Sequence, residues 1–428
     1  MRKTRGSVAI AVATALALIG LTGCSAGSAN ADAAAKKTST ITLTVSRWSG
    51  PQSDAEQKLF NEYTKETGVK IRLDSIDYSN LQQKQTLNMS NKTGAYDLVY
   101  VPDQWIQQYA AAGYLTNLNK YVKNKSLTPS SFDLADLSPS ARSVYSRNGN
   151  LYALPYFVQT PLVVYNKSVL KSDGVTVPKT WNQMLSVGAK LQAKGSSIAL
   201  PFGQSGGANA DILLVLAAGN NGSLFTSSGK LDLTNPKVVQ ATQFMQKLSK
   251  YGTAGSEGWA WDDVNKVLQF GQAPIGISTS GLFTALEDPT QSKVAGKLGY
   301  APLPYNKKVS GLIESWGWAV PSDSKHQTAA YKLAKWLDNK EQLITASKND
   351  PSFVSFRASV NSDKQLVKKE PWLPAFNSAL AKGIVEPNST NAPQLLTALG
   401  TGLSSVTSSG QDPTQMLTGV QSSLKSKF

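Results

Sequence analysis

Ile41 to Trp48, ITLTVSRW, alternates apolar and polar positions with the period of two that a strand requires. The next segment, SDAEQKLFNEYTKETG, changes period. Ala55, Leu59, Phe60 and Tyr63 fall on one helical stripe, Ser53 and Glu56 have the spacing of a capping box, and Gly68 supplies a stop. VKIRL then reads as a second strand, a polar helix follows near Leu81 to Ser90, and YDLVYV reads as a third strand with both faces buried. The opening is therefore β-α-β-α-β, which predicts an α/β lobe. Sheets of that kind bind ligands at the loops beyond their strand C-termini. Those loops are Trp48-Ser49-Gly50 and Pro102-Asp103-Gln104-Trp105.

The middle of the chain repeats the pattern. TPLVVYN, SIALPF, APIGIST and KLGYAPLP predict strands. VPKTWNQMLSVGAKLQAKG and ADILLVLAAGN predict helices, the first with a capping box from Thr180 to Gln183. SWGWAVP begins a return crossing, and TAAYKLAKWLDN is a strongly amphipathic helix. No internal repeat is visible.

The N-terminus follows a different logic. Arg2, Lys3 and Arg5 precede an apolar run from Val8 to about Leu21, too short to span a bilayer, which takes roughly 20 apolar residues. It reads as a secretory signal peptide, residues 1–23. The run ends in Leu21-Thr22-Gly23-Cys24, which resembles a bacterial lipobox, so Cys24 is the expected lipidation point. Ser25 to Thr40 is dominated by small and polar residues and reads as the rest of a flexible tether, residues 24–40.

Composition narrows the chemistry. Roughly 390 residues follow the tether, enough for two lobes. Cys24 is the only cysteine and His326 the only histidine, so disulfides and histidine-rich zinc sites have no material and Ser-His-Asp or Cys-His catalysis is hard to build. The formal charge is +15, but the lysines are scattered and no nucleic-acid motif accompanies them. GQSGGAN lacks the Lys-Ser/Thr of a phosphate loop. No metal and no cofactor is expected.

Several landmarks then coincide. YDLVYVPDQWIQQYAAAGYLTNLNKYV, GNLYALPYFVQTPLVVYNKSVLKSDGVTVPKTWNQML, FGQAPIGISTSG, GLIESWGWAVPSDSKHQTAAYKLAKWL and FVSFRASV occur in that order. Together they resemble the extracellular solute-binding proteins of ABC importers, family 1, the maltose-binding-protein-like group. The resemblance implies an α/β, two-lobed periplasmic-binding-protein-like clamshell of type II, with mixed sheets and a multi-strand hinge. Lobe one would comprise residues 41–157 plus 316–353, and lobe two residues 158–315 plus 354–428. The solute, a sugar and most simply an oligosaccharide, would be captured between the lobes and delivered to permease subunits. The protein would act as a monomer with no enzymatic activity, held by lipid on the outer face of a cell membrane, Gram-positive by the length of the tether and the basic charge.

Sugars present C–H faces that aromatic rings cover and hydroxyl rims that carboxylates, amides and guanidinium groups hydrogen-bond. On that chemistry and the resemblance, the expected ligand-binding residues are Trp48, Asp103, Gln104, Gln159, Phe202, Trp261, Asp262, Phe283, Glu314, Trp316 and Arg357. Glu314 and Ser315 stand where relatives commonly carry two glycines, which removes a close backbone approach and adds a carboxylate. Two other readings stay open: a non-sugar solute such as a polyamine or phosphate ester on the same scaffold, and a surface glycosidase.

Overall fold

The computed structural model describes residues 41–49, 51–137, 139–350 and 353–428. The signal peptide, Cys24 and the tether lie outside the described residues.

Twelve strands carry the fold: β1 (Thr42–Trp48), β2 (Lys70–Ile76), β3 (Leu98–Pro102), β4 (Ser146–Arg147), β5 (Asn150–Leu151), β6 (Ala153–Gln159), β7 (Pro161–Asn166), β8 (Ile198–Ala199), β9 (Ile275–Thr279), β10 (Leu298–Ala301), β11 (Gly311–Ala319) and β12 (Gly383–Val385). They form two main sheets. The first runs β12-β11-β3-β1-β2, with β6 also paired to β11; the second runs β10-β7-β9-β8. β1 lies parallel to both β2 and β3, as the opening β-α-β-α-β pattern demands, and β11 enters antiparallel to β3. All five residues of β3 are buried, which is why its sequence is an unbroken apolar run.

Two crossings join the sheets directly. β6 ends at Gln159 in the first sheet and β7 begins at Pro161 in the second, with only Thr160 between them. Thr160 Oγ1 accepts from the Leu312 N–H at 3.1 Å, and its own N–H donates to Ser280 Oγ at 3.2 Å. The buried hydroxyl thus pins one crossing to the start of β11. β11 itself spans the junction: Gly311–Ile313 pair with β12, and Trp316–Ala319 pair with β3. Beyond residue 353 the chain still packs on the first lobe, for Ser355 bridges Phe157 and Arg357 bridges Leu137.

Local expectations hold where packing supports them. Thr180 Oγ1 accepts from the Gln183 N–H at 3.3 Å and Gln183 Oε1 accepts from the Thr180 N–H at 3.1 Å, closing the capping box before helix Trp181–Gln192. The capping box read at Ser53 and Glu56 does not form. Helix α1 (Pro51–Thr67) already begins at Pro51, and Glu56 turns inward to meet Arg47, 2.9 Å away in β1. SIALPF forms a strand only at Ile198–Ala199. His326 is half-buried, with Nδ1 3.2 Å from Asp97 Oδ1.

Candidate functional site between the lobes

Helix α2 (Tyr78–Ser90) and helix α3 (Asp103–Ala111) follow β2 and β3 and lie side by side. Tyr78 stacks on Trp105 with ring centroids 5.9 Å apart, and Gln104 Nε2 donates to the Tyr78 hydroxyl at 3.4 Å. Pro102 ends β3 and opens α3, so Asp103 occupies the first helical position, where the helix dipole favours a negative group. Asp103 is only 3% exposed. Its Oδ1 accepts from the Gln104 N–H at 2.9 Å and its Oδ2 from Ser315 Oγ at 2.8 Å; Ser315 Oγ in turn accepts from the Tyr145 hydroxyl at 3.0 Å.

Three further carboxyl groups face the same region. Glu314 sits on β11 opposite Gln159 of β6, whose amide donates to it. Asp211 lies in the first turn of helix Ala208–Gly219, every residue of which is buried. Glu386 follows β12, and its carboxyl hydrogen-bonds that of Asp211. Asp211 and Glu386 are each 4% exposed. Burial pushes Asp103 and Asp211 up to about 7, and burial with mutual repulsion pushes Glu314 and Glu386 well above the usual carboxylate range. The same surroundings raise the Tyr78 and Tyr145 hydroxyls, which are neutral donors. Among the described residues none of the four carboxyls forms a salt bridge.

Aromatic walls border the cluster's strands. Trp48, at the end of β1, lies 6.3 Å from Trp316 on β11, and Trp316 lies 5.6 Å from Phe157. Buried atoms without a protein partner include Trp48 Nε1, Trp316 Nε1, Glu314 Oε2 and Glu386 Oε2. A groove of about 690 Å³ opens nearby between the lobes, lined by Gln82, Thr86 and Gln108 from one side and Gln394 and Thr397 from helix Ala392–Ser408 on the other.

The structure gathers Asp103, Gln104, Gln159 and Glu314 with the Trp48–Trp316 pair. Other expected contacts go elsewhere. Phe202 is fully buried in the second hydrophobic core. Phe283 packs between Tyr300 and Trp372, at 4.8 and 5.7 Å, where its ring gains more from burial than from cleft exposure. Trp261 is buried at the start of helix Trp261–Gln269, and the neighbouring Asp262 is exposed to solvent. Asp263 accepts from the Ala260 N–H at 3.0 Å, so one aspartate of EGWAWDD caps the helix. Arg357 is a structural tie: it donates to the carbonyls of Asp338 and Asp133 at 2.7 and 2.8 Å and lies 3.4 Å from the Asp338 carboxylate, with Phe132 beneath it. Tyr78, Tyr145, Asp211 and Glu386 were not singled out from sequence. The signal for Asp211 was present: it is the one charged residue in a helix whose only other polar side chain is Asn209.

A two-sheet molecule whose buried polar side chains converge on the seam between its lobes is a clamshell built to close on a small polar solute. The chain belongs to the family described as bacterial extracellular solute-binding proteins, whose profile matches residues 49–343. It is a solute-binding protein of the ABC-importer type and not an enzyme. It is 26% identical over 349 residues to a probable amino-acid ABC transporter periplasmic-binding protein of Sinorhizobium fredii, covering 79% of this chain and 78% of that one. A mannitol-binding protein of Pseudomonas aeruginosa is 25% identical over 66% of this chain and 65% of its own length. The crystal structure of a solute-binding protein from Agrobacterium radiobacter in complex with ribitol superposes with a TM-score of 0.82 at 26% identity, covering 91% of this chain and 99% of that one. Among the described residues no helix is long and apolar enough to cross a membrane and no group of side chains has the arrangement of a metal site.

Proposed function

We propose that this protein captures a small polyhydroxylated solute, a sugar or sugar alcohol, between its lobes and delivers it to the permease of an ABC importer. The observation that carries this reading is the convergence of Asp103, Glu314, Asp211 and Glu386, with the Gln159 amide and the Tyr78 and Tyr145 hydroxyls, on the interlobe seam. A hydroxyl both donates and accepts, and a mixture of protonated and ionised carboxyls answers both needs. The Trp48–Trp316 pair supplies an apolar wall for C–H faces. A relative named for mannitol and a similar structure in complex with ribitol support the polyol class. The amide-lined groove of about 690 Å³ favours a second reading in which an oligosaccharide extends outward past α2 and α3.

In this reading the protein works as a monomer, anchored by lipid on Cys24 at the outer face of a Gram-positive membrane, with residues 25–40 as the tether. Titration calorimetry against mannitol, ribitol, monosaccharides and oligosaccharides tests the solute class. Saturable binding to one of them, lost in Asp211→Asn, supports the proposal; no binding to any removes it. Labelling with a palmitate analogue in wild type and Cys24→Ser tests the anchor.

A further inference from the structure

The interlobe seam has an unbalanced charge. Four carboxyl groups meet there, contributed by α3, β11, helix Ala208–Gly219 and the segment after β12. The chain carries a formal +15, yet it spends its buried cations elsewhere. Arg47 is paired with Glu56 inside the first lobe, and Arg357 with Asp136 and Asp338. Glu386 is 4% exposed, and one of its oxygens has no partner; Glu314 Oε2 is likewise buried and unpartnered.

Ionised, these orphans are acceptors, and they call for donors. A neutral polyol brings hydroxyl donors but leaves the carboxyls either to keep their protons or to face one another as like charges away from water. An ammonium group brings three N–H donors and the missing positive charge in one compact unit. We propose that the site selects a polyhydroxylated solute bearing one ammonium group, an amino sugar or amino-alditol, over its neutral counterpart. This inference rests on the solute-capture reading above.

The same features exclude neighbouring chemistries. An α-amino acid also needs a cation for its carboxylate, and both buried arginines are already engaged. A phosphate ester would meet four carboxyls, none of which is paired with a cation among the described residues. A long polyamine needs acceptors spaced along its length, whereas Asp211 and Glu386 touch each other and Asp103 and Glu314 act on both. The titratable groups facing the ammonium are Tyr78, Asp103, Tyr145, Asp211, Glu314 and Glu386, and the two tyrosines stay neutral.

The test is titration calorimetry at pH 7.5 with matched solutes: sorbitol against glucamine, glucose against glucosamine, and N-acetylglucosamine as a neutral amide control. The expected result is at least about tenfold tighter binding of the amine in a matched pair. Loss of that preference on N-acetylation and in Glu386→Gln is also expected, together with proton release read from buffers of different ionisation enthalpy. Neutral members binding as tightly as the amines overturns the charge selection and leaves solute capture standing. Binding by neither series, in protein shown folded by circular dichroism, overturns both.

Discussion

Ser315 Oγ donates to Asp103 Oδ2 at 2.8 Å while accepting from the Tyr145 hydroxyl at 3.0 Å, so one buried serine ties β11 to the first residue of α3. The bond favours the ionised form of a carboxyl that burial otherwise drives toward protonation. Ser315→Ala removes the donor and strands the Tyr145 hydroxyl. Leaving a buried polar group unpaired costs about 1–3 kcal/mol, and urea denaturation should show a loss in that range. Solute affinity should fall as well, because Asp103 loses the contact that orients it. A variant with unchanged stability and affinity would mean that the relay is incidental.

Arg47 and Glu56 form an ion pair at 2.9 Å with both side chains inside the first lobe, and the guanidinium also faces the rings of Trp48 and Tyr100 at 5.1 Å. Removing one partner of such a pair costs about 3–5 kcal/mol, because the survivor is left charged without compensation. Glu56→Ala should therefore destabilise the protein strongly, whereas Arg47→Met combined with Glu56→Leu should restore most of the loss. A double variant no more stable than Glu56→Ala would contradict this account.

Gly281 lies against the Gln159 amide. A β-carbon built on Gly281 would fall 2.0 Å from Gln159 Oε1 and 3.4 Å from Phe157 Cζ. The obstacle is the end of a flexible side chain, so the fold survives and Gln159 moves. Gly281→Ala should cost about 1–3 kcal/mol as an overpacking change. It should weaken solute binding by more than that stability change suggests, since Gln159 is the group that holds Glu314. Calorimetry on the folded variant decides the matter: wild-type affinity would show that Gln159 does not position the site.

How much of this was legible in sequence depends on what each residue had to satisfy. The strands β1, β2 and β3 are readable because local period and burial agree, and Asp103 is readable because it stands at a strand-to-helix loop. Glu386 is not, since its role exists only where a segment 175 positions beyond Asp211 folds back to meet it. Phe202, Phe283 and Arg357 illustrate the converse. Each is chemically suited to hold a sugar, but an aromatic ring and a guanidinium suit a packed core equally well, and only tertiary contacts decide between the two. Glu56 had the spacing of a capping box; an arginine in β1 outcompeted the helix terminus for it.

The raised carboxyls give the ligand-free protein a definite response to pH. Burial raises Asp103 and Asp211 to about 7 in the folded protein against an ordinary value of 3.8. Between those values the folded state holds more protons than the unfolded chain, so stability falls as pH rises. The contribution is complete below the unfolded value and is lost as pH passes through about 7. Without solute, the melting temperature should therefore decline from pH 5 to pH 8, and scattering should show a larger radius of gyration as the ionised carboxyls press the lobes apart. An amine solute that stays protonated at pH 8 replaces the lost protons with its own charge, so the melting-temperature gain on adding glucamine should be larger at pH 8 than at pH 5. Glu314 and Glu386 in the seam, and Glu56, Asp338 and Glu370 elsewhere, are also raised and slope the same way, which makes the comparison with an Asp103→Asn, Asp211→Asn double variant the decisive one. That variant should keep the slope the other raised groups produce and lose the part owed to Asp103 and Asp211; a slope identical to wild type would remove those two carboxyls from the explanation.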